Sequence, residues 1–438
     1  MNSILIHYCK AQVNSIQGKV ICKTDSLPVG FAHVYFANSN IGTYSNAVGQ
    51  FVLRYEDSER LDTLVISRLG FNTVYKPISD LKDSTLLTVG ITQNSRFLDE
   101  VYVYAEKDTV SSIVKKAFRK FRKNYPTKLH YLEGFYRELS LKGDTCTRLI
   151  EAAVGITENS YRKPYTKSRV QIRKIRKSED YRSYSARFQA AEAVLRKISK
   201  LAHGKLYMHY NSIHRLLIHN IARSNRIVGT NRRKNKSVLL KKYEYRIAEV
   251  STQGKDEIYH IEFRQPPNLA SPATYTIGRI AINMSDYGIL EHSWSIVKHP
   301  YKDFIHQNLF YKGEIQMYAR TLYSKIDDKY YPTLLELLEP APLGTGLFED
   351  ERTGEKHRQY VKSTLMINKV LTRKRDFDKI KKRDAVEDEE DLYDINQEYD
   401  ATFWSTYNVL LLNPLSEPVL RDLERNHSLK VQFGENEK

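Results

Sequence analysis

Between Ile16 and Ile91 apolar and polar positions alternate in short runs, separated by clusters of turn-forming residues. Ile16–Cys22 and Ala32–Phe36 are rich in β-formers with an apolar side chain at every second place, the mark of strands with one buried face. The stretch between them, Lys23–Gly30, holds Asp25, Ser26, Pro28 and Gly30, each of which favours leaving a strand. Asn46 and Gly49 stand at the two ends of a tight turn, after which Phe51 and Leu53 resume the alternation. Leu61, Leu64 and Ile66 continue it, and Gly70 interrupts before Phe71, where a bend or a positive φ suits a residue without a Cβ. Leu86–Ile91 and Glu100–Tyr104 add two more runs. The spacing predicts about seven short strands, a small β-sandwich.

The period then changes. Thr109–Lys123 places Ile113, Ala117, Phe118 and Phe121 on one stripe, with Asp108 as N-cap and Asn124-Tyr125-Pro126 as a stop, and predicts a helix. Leu132–Ser140 and Leu149–Ile156 predict two strands joined around Gly143-Asp144. Ala186–Arg223 predicts one or two basic amphipathic helices. From Tyr243 the alternating runs lengthen: Tyr243–Val250, Ile258–Phe263, Tyr275–Ile282, Gly288–Val297 and Gly313–Tyr323 fit an antiparallel meander.

Taken in order, Gly18-Lys19-Val20, Pro28, Ala32-His33-Val34, Gly42-Thr43, Asn46 to Phe51 and Ser67-Arg68-Leu69-Gly70-Phe71 resemble the carboxypeptidase regulatory-like domain, over residues 14–104. The resemblance implies a transthyretin-like sandwich of the kind found at the N-terminus of bacterial outer-membrane receptors and other envelope proteins. It implies no peptidase, because in the peptidases this domain accompanies the catalytic one. Phe135-Tyr136-Arg137-Glu138 and Glu151-Ala152 after the helix are similar to a recurring arrangement in envelope proteins that carry this sandwich.

The expected architecture is mainly β with some α. A seven-stranded transthyretin- or immunoglobulin-like sandwich (13–105) leads through a linking helix (106–126) to an antiparallel sheet domain (127–339) with a basic, partly helical insertion (162–246). The sheet's pattern is similar to the curved half-barrels of lipoprotein carriers. An irregular, partly helical region (340–438) follows, with an acidic run at 387–391 that is either solvated or folded back on the basic segment. Phe403-Trp404 and the apolar positions Leu420–Phe433 predict a docked C-terminal element.

Composition narrows the class. No run of eighteen apolar residues occurs, so no spanning helix is expected, and the alternating segments are too few for a complete transmembrane barrel. Ile4–Gln12 looks like the tail of a secretory signal that begins upstream, and residues 1–12 are its expected remnant. The alternative is a frayed terminus on a cytoplasmic protein. The net charge of +17 is concentrated: residues 162–246 carry 24 Lys and Arg against 4 Asp and Glu, and the remainder 45 against 48. A block so basic predicts contact with something anionic through Arg173, Lys174, Arg176, Lys177, Arg232, Arg233 and Lys234. Anionic lipid, lipopolysaccharide or another envelope protein are the candidate partners, with nucleic acid ranked last. A solvated insertion is the alternative.

Candidate chemistry is sparse. His130 and Glu133 mimic a zinc-peptidase H-x-x-E with His260 downstream, but the pattern arises by chance at this composition, and no metal site is expected. His209, His214 and His219 recur every fifth residue, a spacing that cannot converge on one ion from a helix. Arg137 and Glu138 point to opposite faces of their strand. Arg137, Glu138 and Glu151 are the candidate binding residues, against a reading in which they form cross-strand partners that set register. No nucleotide-binding loop, nucleophile elbow or paired C-x-x-C occurs, and no cofactor is expected. The sequence therefore predicts a non-catalytic envelope protein acting in binding or assembly at the periplasm or outer membrane. The alternatives are an envelope hydrolase with a site near Glu138 and Glu151, and a nucleic-acid binder using residues 162–246.

Overall fold

The computed structural model describes residues 13–80, 86–97, 107–161, 168–182, 212–224, 243–266, 274–298, 315–340, 348–349, 356–357, 359–387, 390–411 and 417–434. They fall into two compact units, Met1–Gln93 with Ala401–Asn413, and Asn94–Asp400 with Pro414–Lys438.

The first unit has seven strands: β1 Val13–Cys22, β2 His33–Phe36, β3 Gly42–Tyr44, β4 Gln50–Glu56, β5 Thr63–Ser67, β6 Val74–Pro77 and β7 Leu87–Ile91. They form two sheets, ordered β4-β1-β7 and β3-β2-β5-β6. The alternating positions Val20, Cys22, Val34, Phe36, Phe51, Leu53, Leu64, Ile66, Val89 and Ile91 meet in one core. The expected turn is present: Gly49 donates to the Asn46 carbonyl at 2.9 Å, and the Asn46 side chain accepts from Val48 and Gln50. Gly49 has φ +79°, and a Cβ there would lie 2.4 Å from the Val20 carbonyl oxygen. Gly70 likewise takes φ +83°. A helical turn at Ala401–Thr406 belongs to this unit. Just beyond it Asn408 imitates a strand neighbour, accepting from the Arg54 N–H at 2.7 Å and donating to the Arg54 carbonyl at 3.0 Å.

By contact the first unit runs to Gln93, and β8 (Arg96–Phe97) pairs with β12 of the large sheet. The predicted strand Glu100–Tyr104 lies outside the described residues, as does the N-terminal remnant 1–12.

The second unit contains α1 Lys107–Asn124, β9 His130–Lys142, β10 Thr145–Glu158, β11 Arg169–Lys177, α2 Ser212–His219 and α3 Ile221–Ser224. There follow β12 Glu244–Gln253, β13 Asp256–Arg264, β14 Thr274–Asn283, β15 Ile289–Lys298, β16 Ile315–Ile326 and β17 Lys329–Pro340. A two-residue pairing of β18 Phe348–Glu349 with β19 Lys356–His357 precedes β20 Gln359–Leu371, and α4 Glu417–Leu423 and α5 Leu429–Phe433 end the unit. Eleven strands make one sheet, ordered β11-β10-β9-β20-β17-β16-β15-β14-β13-β12-β8.

Two expectations are corrected here. Residues 162–246 are not simply an insertion, since 169–177 form strand β11 on the sheet and the described helices α2 and α3 are largely buried. The sheet domain does not end at 339, because β20 sits between β9 and β17 and joins the hairpin to the meander. A strand so far along the chain carries no local signal of the neighbours it will find.

Candidate functional site

Pair register brings ten residues into one line across the sheet. Arg176 faces Glu151, Glu151 faces Arg137, Arg137 faces Thr364, and Thr364 faces Glu336. Glu336 faces Arg320, Arg320 faces Ser293, Ser293 faces Arg279, Arg279 faces Glu262, and Glu262 faces Arg246. Directly opposed residues share a face, so a polar row crosses from β11 to β12.

The best-covered part of the row lies at the β9–β11 end. Glu151 accepts from Arg137 Nε and Arg176 Nε, each at 2.7 Å, and its side chain is 2 % exposed. Burial alone would raise this carboxyl, but the two guanidinium groups outweigh it and hold it below the usual range. Helices α4 and α5 explain the burial. Leu423 and Leu429 pack on Cys146 and Leu149, with Leu139, Leu141 and Phe433 around them, and the Phe433 ring lies 5.0 Å from the Arg176 guanidinium. Further along, Arg320 donates to Glu291 at 2.9 Å and Arg246 to Glu262 at 2.7 Å, while Arg279 pairs with Glu249.

Glu138 lies on the other face. It accepts from Tyr136 Oη at 2.5 Å and from Arg148 at 2.7 Å, and Arg148 also approaches Asp391 at 3.6 Å. Burial first, and then Glu138, push the Tyr136 hydroxyl well above its ordinary range. Helix α2 covers this face through Ile213, Leu216 and Leu217, and its Arg215 pairs with Glu339. Burial, reinforced by Glu138, raises the Glu339 carboxyl to about 7 against the pull of Arg215. Glu138 therefore shares no site with Arg137 and Glu151: the sheet stands between them.

The basic candidates on β11 are engaged within the chain. Arg173 pairs with Glu133 at 2.6 Å and Lys174 with Asp400 at 2.9 Å. Lys177 donates to the carbonyls of Tyr393 and Ile395 and to the Asn396 side chain. The region after the acidic run thus folds back on the basic strand, and Val386 N–H donates to the Val170 carbonyl at 2.8 Å. Arg232, Arg233 and Lys234 lie outside the described residues, as does His209. His130 and Glu133, three apart on a strand, fall on opposite faces. His214 and His219 lie buried on α2, and burial lowers His219 to about 3.

Sequence reasoning found the β9–β11 end of the row but not Arg246, Glu262, Arg279, Arg320 or Glu336. Arg279 and Arg320 are lone ions in otherwise uncharged runs, which was the available signal, whereas Arg246, Glu262 and Glu336 have other charged residues within three positions and carried none. It also read only the apolar stripe of α1 and passed over the cations Lys115, Lys116, Arg119, Lys120, Arg122 and Lys123.

Comparison with known proteins places the first unit. Residues 16–103 match the CarboxypepD_reg-like domain, so this chain carries that domain at its N-terminal end. No curated protein matches the chain. Among solved structures it is similar to a LolA superfamily protein from Nitrosomonas europaea, at 12 % identity and a TM-score of 0.22, over 64 % of this chain and 98 % of that one. It is similar at the same score to a DUF1329 family protein from Desulfovibrio piger, at 9 % identity, over 59 % of this chain and 93 % of that one. Scores of 0.22 do not define a common fold.

Proposed function

We propose that this protein is a non-catalytic component of the bacterial envelope that binds or helps assemble another envelope constituent. The observation that carries the reading is the CarboxypepD_reg-like sandwich, a domain whose resemblance implies an accessory role, joined to a large antiparallel sheet. The candidate carboxylates support it. Glu151 is held between Arg137 and Arg176, and Glu138 between Tyr136 and Arg148. Both are buried, and their oxygens are committed to partners within the chain. A catalytic carboxylate must reach the substrate proton it moves.

The test screens the purified protein, with Glu138→Gln and Glu151→Gln beside it, against ester, peptide and glycoside substrates. The reading predicts no turnover above that of a mock preparation in any of the three. Turnover in the parent protein that either substitution abolishes, with the fold intact by circular dichroism, contradicts it and favours a hydrolase.

A further inference from the structure

Helix α1 has two unlike faces. Val110, Ile113, Val114, Ala117 and Phe118 are buried at i, i+3, i+4, i+7 and i+8, and the helix contacts both β12 and β17. Those strands lie five places apart in the sheet, roughly 24 Å at strand spacing, and an 18-residue helix is about 27 Å long. The length suits a helix laid across the strands.

The outward face is cationic. Lys116, Arg119, Lys120 and Lys123 recur at i, i+3, i+4 and i+7, all exposed, with Arg122 exposed beside them and Lys115 half-buried. No acidic residue occurs between Thr109 and Asn124. Among the described residues none of the six is in an ion pair, and Lys116 touches only the Tyr287 ring, at 5.4 Å. Asp286, whose backbone carbonyl accepts from Asn124, has its carboxylate taken by Lys325, Tyr330 and the Gly288 N–H. This differs from β11, where the cations already have partners. Placing six like charges within about 12 Å of helix without counterions costs self-repulsion that an external anion relieves.

We infer that the outward face of α1 is a docking surface for an anionic lipid headgroup layer. Charge complementarity selects an anionic occupant. The helix's aromatic residues argue against single-stranded nucleic acid: Phe118 is buried and Phe121 is packed against Phe118 and Tyr125, so neither is placed to stack bases. A cluster of four to eight basic residues on an amphipathic helix is the form that anionic-membrane recognition takes. The choice of a membrane rests on the envelope reading above, and the test is independent of it.

The experiment is flotation of the full chain with vesicles of phosphatidylcholine alone or with 30 mol % phosphatidylglycerol, at two salt concentrations. A K116Q/R119Q/K120Q/K123Q variant and an R232Q/R233Q/K234Q variant run alongside. The parent floats with the anionic vesicles only, and less at high salt. Each cation near the surface is worth about five-fold in binding, so the helix variant loses on the order of a hundred-fold or more, and the 232–234 variant stays within about ten-fold of the parent. Failure of the parent to bind anionic vesicles overturns the inference. So does retention by the helix variant, or displacement from the vesicles by duplex DNA at equal charge. Because the vesicles are pure lipid, a negative result leaves the cellular location to its own measurement.

Discussion

At the scale of single residues, the sheet separates two ways of burying a carboxylate. Glu151 is compensated by two guanidinium groups and stays ionised; Glu339 has Arg215 alone, beside Glu138, and its carboxyl is raised to about 7. The pH consequences differ in sign. A carboxyl with an unfolded value near 4.3 and a folded value of about 7 makes the native state bind the extra proton, so its contribution to stability grows as pH falls from about 7 to 4.5. Buried His130 and His219, lowered to about 4 and about 3, act the other way, because unfolding lets them take a proton below about 6.5. Comparing the parent with Glu339→Gln cancels the histidines. Urea midpoints at pH 8 and pH 5 should show the parent gaining on the variant at the lower pH. Parallel behaviour at both would show that Glu339 does not titrate in that window.

At the scale of elements, the clearest test concerns the C-terminal helices. Leu423 is fully buried against Cys146 and Leu149, and α4 and α5 cover the Arg137–Glu151–Arg176 end of the row. Leu423→Ala should cost about 2–5 kcal/mol in chemical denaturation, and the effect should be felt first as loosening of that edge. Hydrogen exchange on β10 and β11 reads it directly; unchanged protection there would detach the helices from the stability of the sheet. The same elements mark the limits of sequence reading. The sandwich was legible because its strands are short, its partners close in sequence, and Asn46–Gly49 and Gly70 punctuate it with residues whose backbone needs are specific. The β9–β10 hairpin was legible for the same reason. β11 was hidden because Arg173, Lys174, Arg176 and Lys177 read as part of a basic segment facing an anionic partner, although Val170, Ile172 and Ile175 interleave with them. β17 and β20 were missed as members of the sheet, and β20 completes pairings with strands up to 240 residues earlier, at Tyr131 and Leu371. The row itself is a property of register. Ten strands must be aligned before Arg246 and Arg176 fall on one line, and no local pattern encodes that.

For the whole molecule, cations divide by structure into two kinds, those of β11 inside the basic block 162–246 and those of α1 outside it. The cations of β11 are bound to Glu133 and Glu151 within the sheet, and to Asp400, the Tyr393 and Ile395 carbonyls and the Asn396 side chain, which ties later segments of the chain to it. Those of α1 face outward without acidic partners among the described residues. Net charge alone could not distinguish these uses; position on the fold does. The N-terminal sandwich gives the chain its family resemblance, the large sheet its bulk, and the helix its candidate contact with an anionic layer. The central claim is that these parts operate in the envelope. It is tested most directly by treating intact native cells, spheroplasts and lysed spheroplasts with protease and following the chain by immunoblot. The protein should be lost once the outer barrier is opened, with a cytoplasmic marker still protected. Protection in spheroplasts and digestion only after lysis would contradict it.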